Sequence, residues 1–297
     1  MATTTNIRTT TARGVWANRY EITGDRLLGI AAMVALGVGA ILMVMPFLWM
    51  FSTSLRPSAE SYKLPPAWLP TSWHFENYAA VFQSTVPFVA FAANSLKITF
   101  FVVFGQLITC SMAGFAFARL RFPGRDMLFI VLLASLMVPT QVTIIPVFII
   151  MKNLGLADNH LSLIMLGLTS AFGVFLLRQF FLTVSQDLID AAKIDGAGPW
   201  TTFTRIGLPL AAPSLSALAI ITFNNTWNNY FYPLIFLTSW DKMTLPLGIT
   251  ALRGYLSSGN ASVVMAAVAM TILPVLVVFL LAQRWIIQGV TQSGIKG

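Results

Sequence analysis

Runs of more than about 20 apolar residues recur along this chain, and such runs fold only where every backbone N–H and C=O finds a partner within the polypeptide. The stretch 27–55 has no charged side chain at all. In a bilayer the solution is a helix, which closes its own hydrogen bonds. Six spans are expected on this basis: Leu27–Leu55, Pro87–Ala118, Met127–Met151, Leu161–Leu177, Leu208–Ser239 and Ala261–Gln283. The fourth is short, and it extends past Arg178 if that side chain snorkels to the interface. Composition agrees, with 57% apolar and only 9% charged residues, where soluble domains carry about 25% charged residues. The fold class is therefore all-α integral membrane protein. Residues 1–26 form a cytoplasmic N-terminal segment with a Thr-rich, disordered start, and 27–297 form one six-helix transmembrane domain.

The formal net charge is +8, which raises the question of nucleic acid. The basic residues are instead scattered between apolar spans, so the excess reads as topology. Arg8, Arg13, Arg19, Arg26, Arg119, Arg121, Arg125, Arg178, Lys193, Arg205, Arg284 and Lys296 fall on one side. Only Arg56, Lys63, Lys152, Lys242 and Arg253 fall on the other. The positive-inside rule then places both termini and the loop 187–209 in the cytoplasm. The first span is longer than a signal-peptide core and lacks a small-residue cleavage site, so it is expected to remain as an anchor. The single Cys110 excludes an intramolecular disulfide.

The loop Asp187–Pro209 is a polar island punctuated by Gly and Pro. Asp187 is expected to cap a short helix whose first turn holds Asp190, where the positive end of the helix dipole favours a carboxylate. Ala191 and Ala192 leave a low surface that another protein can approach. Gly196 is placed to end the helix in a left-handed conformation, Pro199 to begin a second one, and Pro209 to mark the return into the membrane. An amphipathic connector without a partner fits these features equally.

The chain is not equipped to fuel transport or to catalyse a reaction. No GxxxxGK[ST] sequence occurs, so phosphates and magnesium have no P-loop. All ten acidic residues and both histidines, His74 and His160, fall in loops or at ends, which leaves no intramembrane proton relay. Lys97 is the one charge within a span, and it reads as snorkelling toward the outer interface. Metal and nucleophilic hydrolysis lack their residues, with no HExxH helix and no intramembrane aspartate pair. No cofactor is expected on this chain.

Uncharged polar groups concentrate in the fifth span: Asn224, Asn225, Thr226, Trp227, Asn228, Asn229, Tyr230 and Tyr232. Amides beside aromatic faces suit a hydroxyl-rich neutral ligand such as a sugar. Interhelical hydrogen bonding is the alternative use of the same groups. On a period of about 3.6 residues Asn224 and Asn228 share one face and Asn225 and Asn229 another, so only one pair can line a passage. On the outer side, Tyr62–Trp73 combines prolines with Trp68 and Trp73, which reads as an interfacial aromatic anchor or as a contact for an external protein. The prolines at 46, 139, 146, 233 and 274 read mostly as kinks.

The pattern Asp190-Ala191-Ala192, Gly196, Ile206 and Leu208-Pro209 resembles the EAA loop of bacterial ATP-binding-cassette importer permeases, with Asp190 where that family usually has Glu. Other stretches resemble the maltose-permease G-like subunits of carbohydrate importers. They are Asn94-Ser95, the loop from Ala118 to Gly124, Pro139, Ile145-Pro146, Gly155-Leu156-Ala157-Asp158, Trp227-Asn228-Asn229, Pro233-Leu234 and the tail Gly294–Gly297. The resemblance implies a type I permease in the bacterial cytoplasmic (inner) membrane. Its partners would be a second, non-identical permease subunit, a cytoplasmic ATPase dimer holding ATP and magnesium, and an extracytoplasmic solute-binding protein. It carries an ATPase-coupling role onto Asp190, Ala191, Ala192, Asp195 and Gly196, with Arg205 and Pro209 shaping the hinge, and it takes the tail from about Gln288 to the ATPase surface. The competing reading is a stand-alone secondary carrier.

Overall fold

The computed structural model describes residues 13–61, 68–84, 86–255 and 260–293, with side chains at 28–254 and 260–281 of these ranges. Among the described residues the chain is helical and has no strands. Helix α1 (Arg13–Ser54) starts well before the first apolar run, and α2 (Glu76–Gln83) is short. Then come α3 (Phe88–Arg119), α4 (Arg125–Ala134) and α5 (Thr140–Asn153). Two pieces, α6 (His160–Gly167) and α7 (Ala171–Thr183), make one 24-residue span. A polar connection follows: α8 (Gln186–Ile194), α9 (Pro199–Thr202), a π-type turn over Phe203–Gly207 and α10 (Leu208–Leu210). The chain then forms α11 (Ala212–Trp227), α12 (Phe231–Phe236), α13 (Leu245–Tyr255) and α14 (Ala261–Ser293).

Among the described residues four spans are long and apolar enough to cross a membrane, Leu28–Ser54, Phe88–Arg119, His160–Thr183 and Ala261–Leu281, and two bent pairs bring the number to six if each is one span. The bend at Pro139 falls where a kink is expected, and both bends are sharp enough to break their spans. Between α4 and α5 the axis turns by 105°. Val138 stands before Pro139 and takes an extended conformation (φ −86°, ψ 115°), which the proline ring favours over the helical one. Pro146, Pro46 and Pro274 remain inside their helices. The second bend, 74°, falls at Ala211, after Pro209. The fifth span then ends at Trp227 rather than Ser239. At 16 residues, or about 24 Å at 1.5 Å per residue, α11 does not match the roughly 30 Å hydrocarbon core. The fourth span runs on to Thr183, with the Arg178 guanidinium 4.0 Å from the Phe129 ring centroid.

Helix α3 is the pillar of the domain, because its faces enter all three apolar clusters. Cys110 and Phe115 pack with Leu177, Phe181 and Leu218 of α7 and α11. Phe91 packs with Trp227, Leu252 and Ala266, and Ile98 and Val102 pack with Met151, Leu163 and Phe236. The approach of α3 to α7 needs Gly114: a Cβ there would lie 3.0 Å from both the Arg178 backbone nitrogen and Leu177 Cβ. Small residues are how membrane helices come this close. The apolar side chains of α1 from Leu28 to Leu48, by contrast, are mostly exposed, as suits a lipid-facing helix.

At one end of the pillar, Asp158 ties two connections together from a left-handed backbone conformation (φ 53°), unusual for a residue with a side chain. Its carboxylate accepts from the backbone N–H groups of Thr238 and Ser239, from the Ser239 hydroxyl and from Lys242 Nζ. His160 Nε2 meets the Lys242 carbonyl, and Asn94 Nδ2 donates to the carbonyls of Asp241 and Met243. The Ser239 side chain and backbone, with Lys242, hold the Asp158 carboxyl far below the usual carboxylate range.

Two outcomes follow from this packing. Gly114→Val forces two backbones apart and should destabilise the protein by about 1–3 kcal/mol, read as a lower melting temperature in detergent. A carboxylate with a depressed folded pKa contributes stability that is full above its unfolded value of about 3.9 and is lost only as pH falls through the folded value. The Asp158 clamp should therefore be unchanged between pH 5 and 8, while Asp158→Ala should cost about 2–3 kcal/mol at any pH in that window.

Candidate functional site

A cavity of about 450 Å³ opens where the broken helices meet. Helix α3 contributes Ser95, Ile98, Val102 and Gln106 at spacings of three and four residues, which is one helical face. The break between α6 and α7 contributes Gly167, Thr169 and Ser170, and the fifth span contributes Asn225, Thr226 and Asn229. Tyr232, Thr140 and Thr244 complete the polar lining, and no lining residue is charged. A smaller space of about 160 Å³ shares Gln106, Ser170, Asn225 and Thr226 in its wall.

The unwound residues between α6 and α7 would leave bare carbonyls inside the protein, and α3 supplies their donors. Gln106 Nε2 donates to the Gly167 carbonyl (2.9 Å), Thr109 Oγ1 to that of Leu168 (2.6 Å), and Cys110 Sγ to that of Ser170 (3.6 Å). Gln106 Oε1 also accepts from Thr222 Oγ1 on α11 at 2.8 Å. Ser170 then caps α7 by accepting from the Gly173 N–H. Sequence reading overlooked Gln106, although an amide in the middle of an apolar span is a costly residue that signals a partner.

The fifth-span candidates separate into three groups. Asn225 and Asn229 face the cavity, and Asn229 Oδ1 also accepts from the Tyr232 N–H. Asn224 and Asn228 occupy the other face and bond to each other, Asn228 Nδ2 donating to Asn224 Oδ1 and to its carbonyl. Trp227 is buried, stacked on Phe223, with Nε1 donating to the Thr271 carbonyl of α14. Neither Trp227 nor Tyr230 lines the cavity; Tyr230 is exposed just before α12. Lys97 is exposed and stands outside the lining as well.

The loop 187–209 folds as helix, break, helix, with two corrections at its start, the first being that Asp190 lies beyond the first turn of α8. Ser185, not Asp187, is the N-cap: its hydroxyl accepts from the Asp187 N–H at 3.2 Å. A capping side chain reaches the second or third N–H of its helix, so the cap lies two residues before the acid. Asp187 occupies the first turn instead. Asp190 accepts from Lys193 Nζ (2.8 Å) and Gln186 Nε2 (3.0 Å), and these donors, Lys193 first, lower its pKa. Ala192 is buried beside Ile189, while Ala191 is exposed. Asp195 is the C-cap. Gly196 adopts φ +80°, and the N–H groups of Gly196 and Ala197 return to the carbonyls of Lys193 and Ala192. This is the closure that a left-handed glycine allows. Pro199 opens α9. Arg205 lies exposed in the π-type turn, and Pro209 is exposed in α10.

Two features of this elbow go beyond the sequence reading. Arg119, the last residue of α3, donates to the carbonyls of Phe181 and Val184 and, through Nη1, to Gln186 Oε1 at 2.9 Å. It thus ties the ends of α3 and α7 to α8. The elbow also bares large apolar side chains beside its charged ones, since Ile194 is 87% and Trp200 63% exposed. The tail from Gln288 and the segment 62–67 lie outside the described side chains.

Comparison with known proteins fits this architecture. Residues 107–292 match the family described as binding-protein-dependent transport system inner membrane component. The arabinooligosaccharides transport system permease protein AraQ of Halalkalibacterium halodurans is 34% identical over 261 residues, covering 87% of this chain and 93% of that one. The sn-glycerol-3-phosphate transport system permease protein UgpE of Yersinia pestis is 32% identical, covering 92% and 99%. Among solved structures, a chain of a bacterial ABC transporter involved in the import of the acidic polysaccharide alginate superposes with a TM-score of 0.78 at 26% identity, covering 89% of this chain and 98% of that one. With the family match spanning more than half of its length, a cavity walled by broken spans and two relatives above 30% identity, the chain belongs to the binding-protein-dependent transport system inner membrane components.

Proposed function

We propose that this chain is the permease subunit of an ATP-driven carbohydrate importer, moving a neutral di- or oligosaccharide or a related polyol. The observation that carries the substrate class is the cavity itself: amides and hydroxyls beside Tyr232, with no charged group among its lining residues. Neutral sugars offer hydroxyl rims to such amides and C–H faces to such rings. Phosphorylated or acidic ligands would call for a cation in the wall. The carbohydrate class is supported by AraQ, of an arabinooligosaccharide system, and by the NgcG protein of Streptomyces coelicolor, of a diacetylchitobiose uptake system, whereas UgpE and the alginate importer are named for charged ligands, so the neutral class rests on the cavity lining. The chain transports and does not catalyse.

In this reading the working unit adds a second, non-identical permease subunit, a cytoplasmic ATPase dimer that holds ATP and magnesium, and an extracytoplasmic sugar-binding protein. Both termini and the elbow 187–209 face the cytoplasm of a bacterial cell. Asp190, Ala191, Ala192, Asp195 and Gly196 form the face or closure of the elbow offered to the ATPase, and Arg205 and Pro209 lie on its return arm. Closure of the ATPases pushes α8; the Arg119 bonds pass that displacement to α3 and α7. Since α3 and the segment 167–170 that leads into α7 both line the cavity, the push alternates its access between the two sides of the membrane.

Three outcomes test the reading. In proteoliposomes containing the four-part assembly, Gly196→Asp and Asp190→Lys should abolish ATP-dependent uptake while membrane insertion stays intact. The first puts a side chain where φ is +80°; the second reverses the charge that pairs with Lys193. Asn225→Ala with Asn229→Ala should raise KM about tenfold, the equivalent of about 1.4 kcal/mol, while Asn224→Ala leaves it within about twofold, on the order of 0.4 kcal/mol. Uptake by the purified chain alone, without nucleotide, would replace the importer with a stand-alone carrier.

A further inference from the structure

The geometry points to Gln106 as a positioning residue that sets the width of the passage, an inference that rests on the reading of the cavity as the sugar path. Three structural elements converge on this one amide. It stands on α3, donates to the Gly167 carbonyl at the break of the fourth span, and accepts from Thr222 Oγ1 on α11. It also lies in the wall of both cavities, together with Ser170, Asn225 and Thr226.

The side chain therefore links the fourth span to α11 through hydrogen bonds at both of its ends. An amide carries two donor and two acceptor positions; Gln106 commits one of each to the walls. Thr109 and Cys110 hold the neighbouring carbonyls of Leu168 and Ser170 from the same helix, but neither reaches α11 in its hydrogen bonds. Gln106 alone in this set couples the unwound segment to the fifth span. Bonds in a partly buried wall keep the spacing of the helices they join, because releasing one costs a polar group its partner. Removing the brace frees the Gly167 carbonyl and lets the segment 168–170 move away from α11.

The test uses the assembled importer in proteoliposomes and reads passage width without requiring the sugar to be known. Asn225→Cys places a thiol on the cavity wall, while the native Cys110 is fully buried. The probes are a small methanethiosulfonate reagent and a bulky maleimide. With Gln106 in place the small reagent should react and the bulky one should react at least tenfold more slowly. Adding Gln106→Met, which keeps the volume and deletes both hydrogen bonds, should raise the ratio of bulky to small rates severalfold. Thr222→Val, which removes only the α11 partner, should raise it in the same direction by less, and it serves if the Gln106 variant does not assemble. An unchanged ratio in both variants overturns the positioning role while leaving the cavity reading intact. A thiol at 225 that neither reagent reaches in any nucleotide state overturns the cavity reading, and this inference with it.

Discussion

A bilayer provides no water to a polar backbone, so any interruption of a helix there must be repaired by a neighbouring side chain. That single requirement organises the domain. The fourth span breaks between α6 and α7, and three residues of α3 supply the missing donors to the carbonyls of Gly167, Leu168 and Ser170. Because α3 must lie close enough to do this, the contact at Gly114 tolerates no Cβ without displacement, and Gly173 similarly meets Cys110 Sγ and Leu218. The interruption in turn gives the cavity a wall of hydroxyls where a continuous helix would present aliphatic side chains. Irregular backbone at membrane depth is stable where it lines a cavity, and here that cavity is the candidate passage.

The same pillar reaches the elbow. Arg119 closes the end of α7 by bonding to two of its last carbonyls and holds Gln186 in α8, which in turn bonds Asp190. A helix end with cationic donors on its carbonyls is favourable on dipole grounds, and here the same donors make a mechanical joint. The proposed lever thus has a short load path: Asp190 to Gln186, Gln186 to Arg119, and Arg119 along α3 to Gln106. At the opposite end of α3, Asn94 holds the connection that Asp158 and Lys242 clamp. A pillar fixed at both ends and lined with polar groups between them can shift as one body.

Much of this was legible in the sequence because hydrophobic runs and turn chemistry are local signals. The apolar runs located the spans, and Gly196 and Pro199 marked the end of α8 and the start of α9 as their backbone preferences require. The 3.6-residue period separated Asn225 and Asn229 from Asn224 and Asn228, which the structure places on different faces. What the sequence could not disclose depends on contacts far apart in the chain. Trp227 looked like a stacking surface among amides, yet its indole N–H belongs to the Thr271 carbonyl, 44 positions away. Gln106 drew no reading from the sequence, because its meaning lies in Gly167 and Thr222. The bend at Pro139 was visible as a kink, but its 105° sweep was not, because it needs the 3-10 turn at 135–137 and the extended Val138 as well as the proline. Asp187 was misplaced as a cap because Ser185, two residues earlier, offered the same chemistry in a less conspicuous context.

The oily tip of the elbow has a bearing on how such a subunit is produced. Ile194 and Trp200 stand bare in an aqueous loop, and surface of that kind is adhesive toward any other greasy protein it encounters. In the proposed assembly, a newly made copy that outnumbers its companions is thus a target for chaperones and proteases, and balanced synthesis protects it. Under the proposed coupling, overexpressing this chain by itself yields less intact protein per transcript than expressing it with the ATPase proposed to cover the tip.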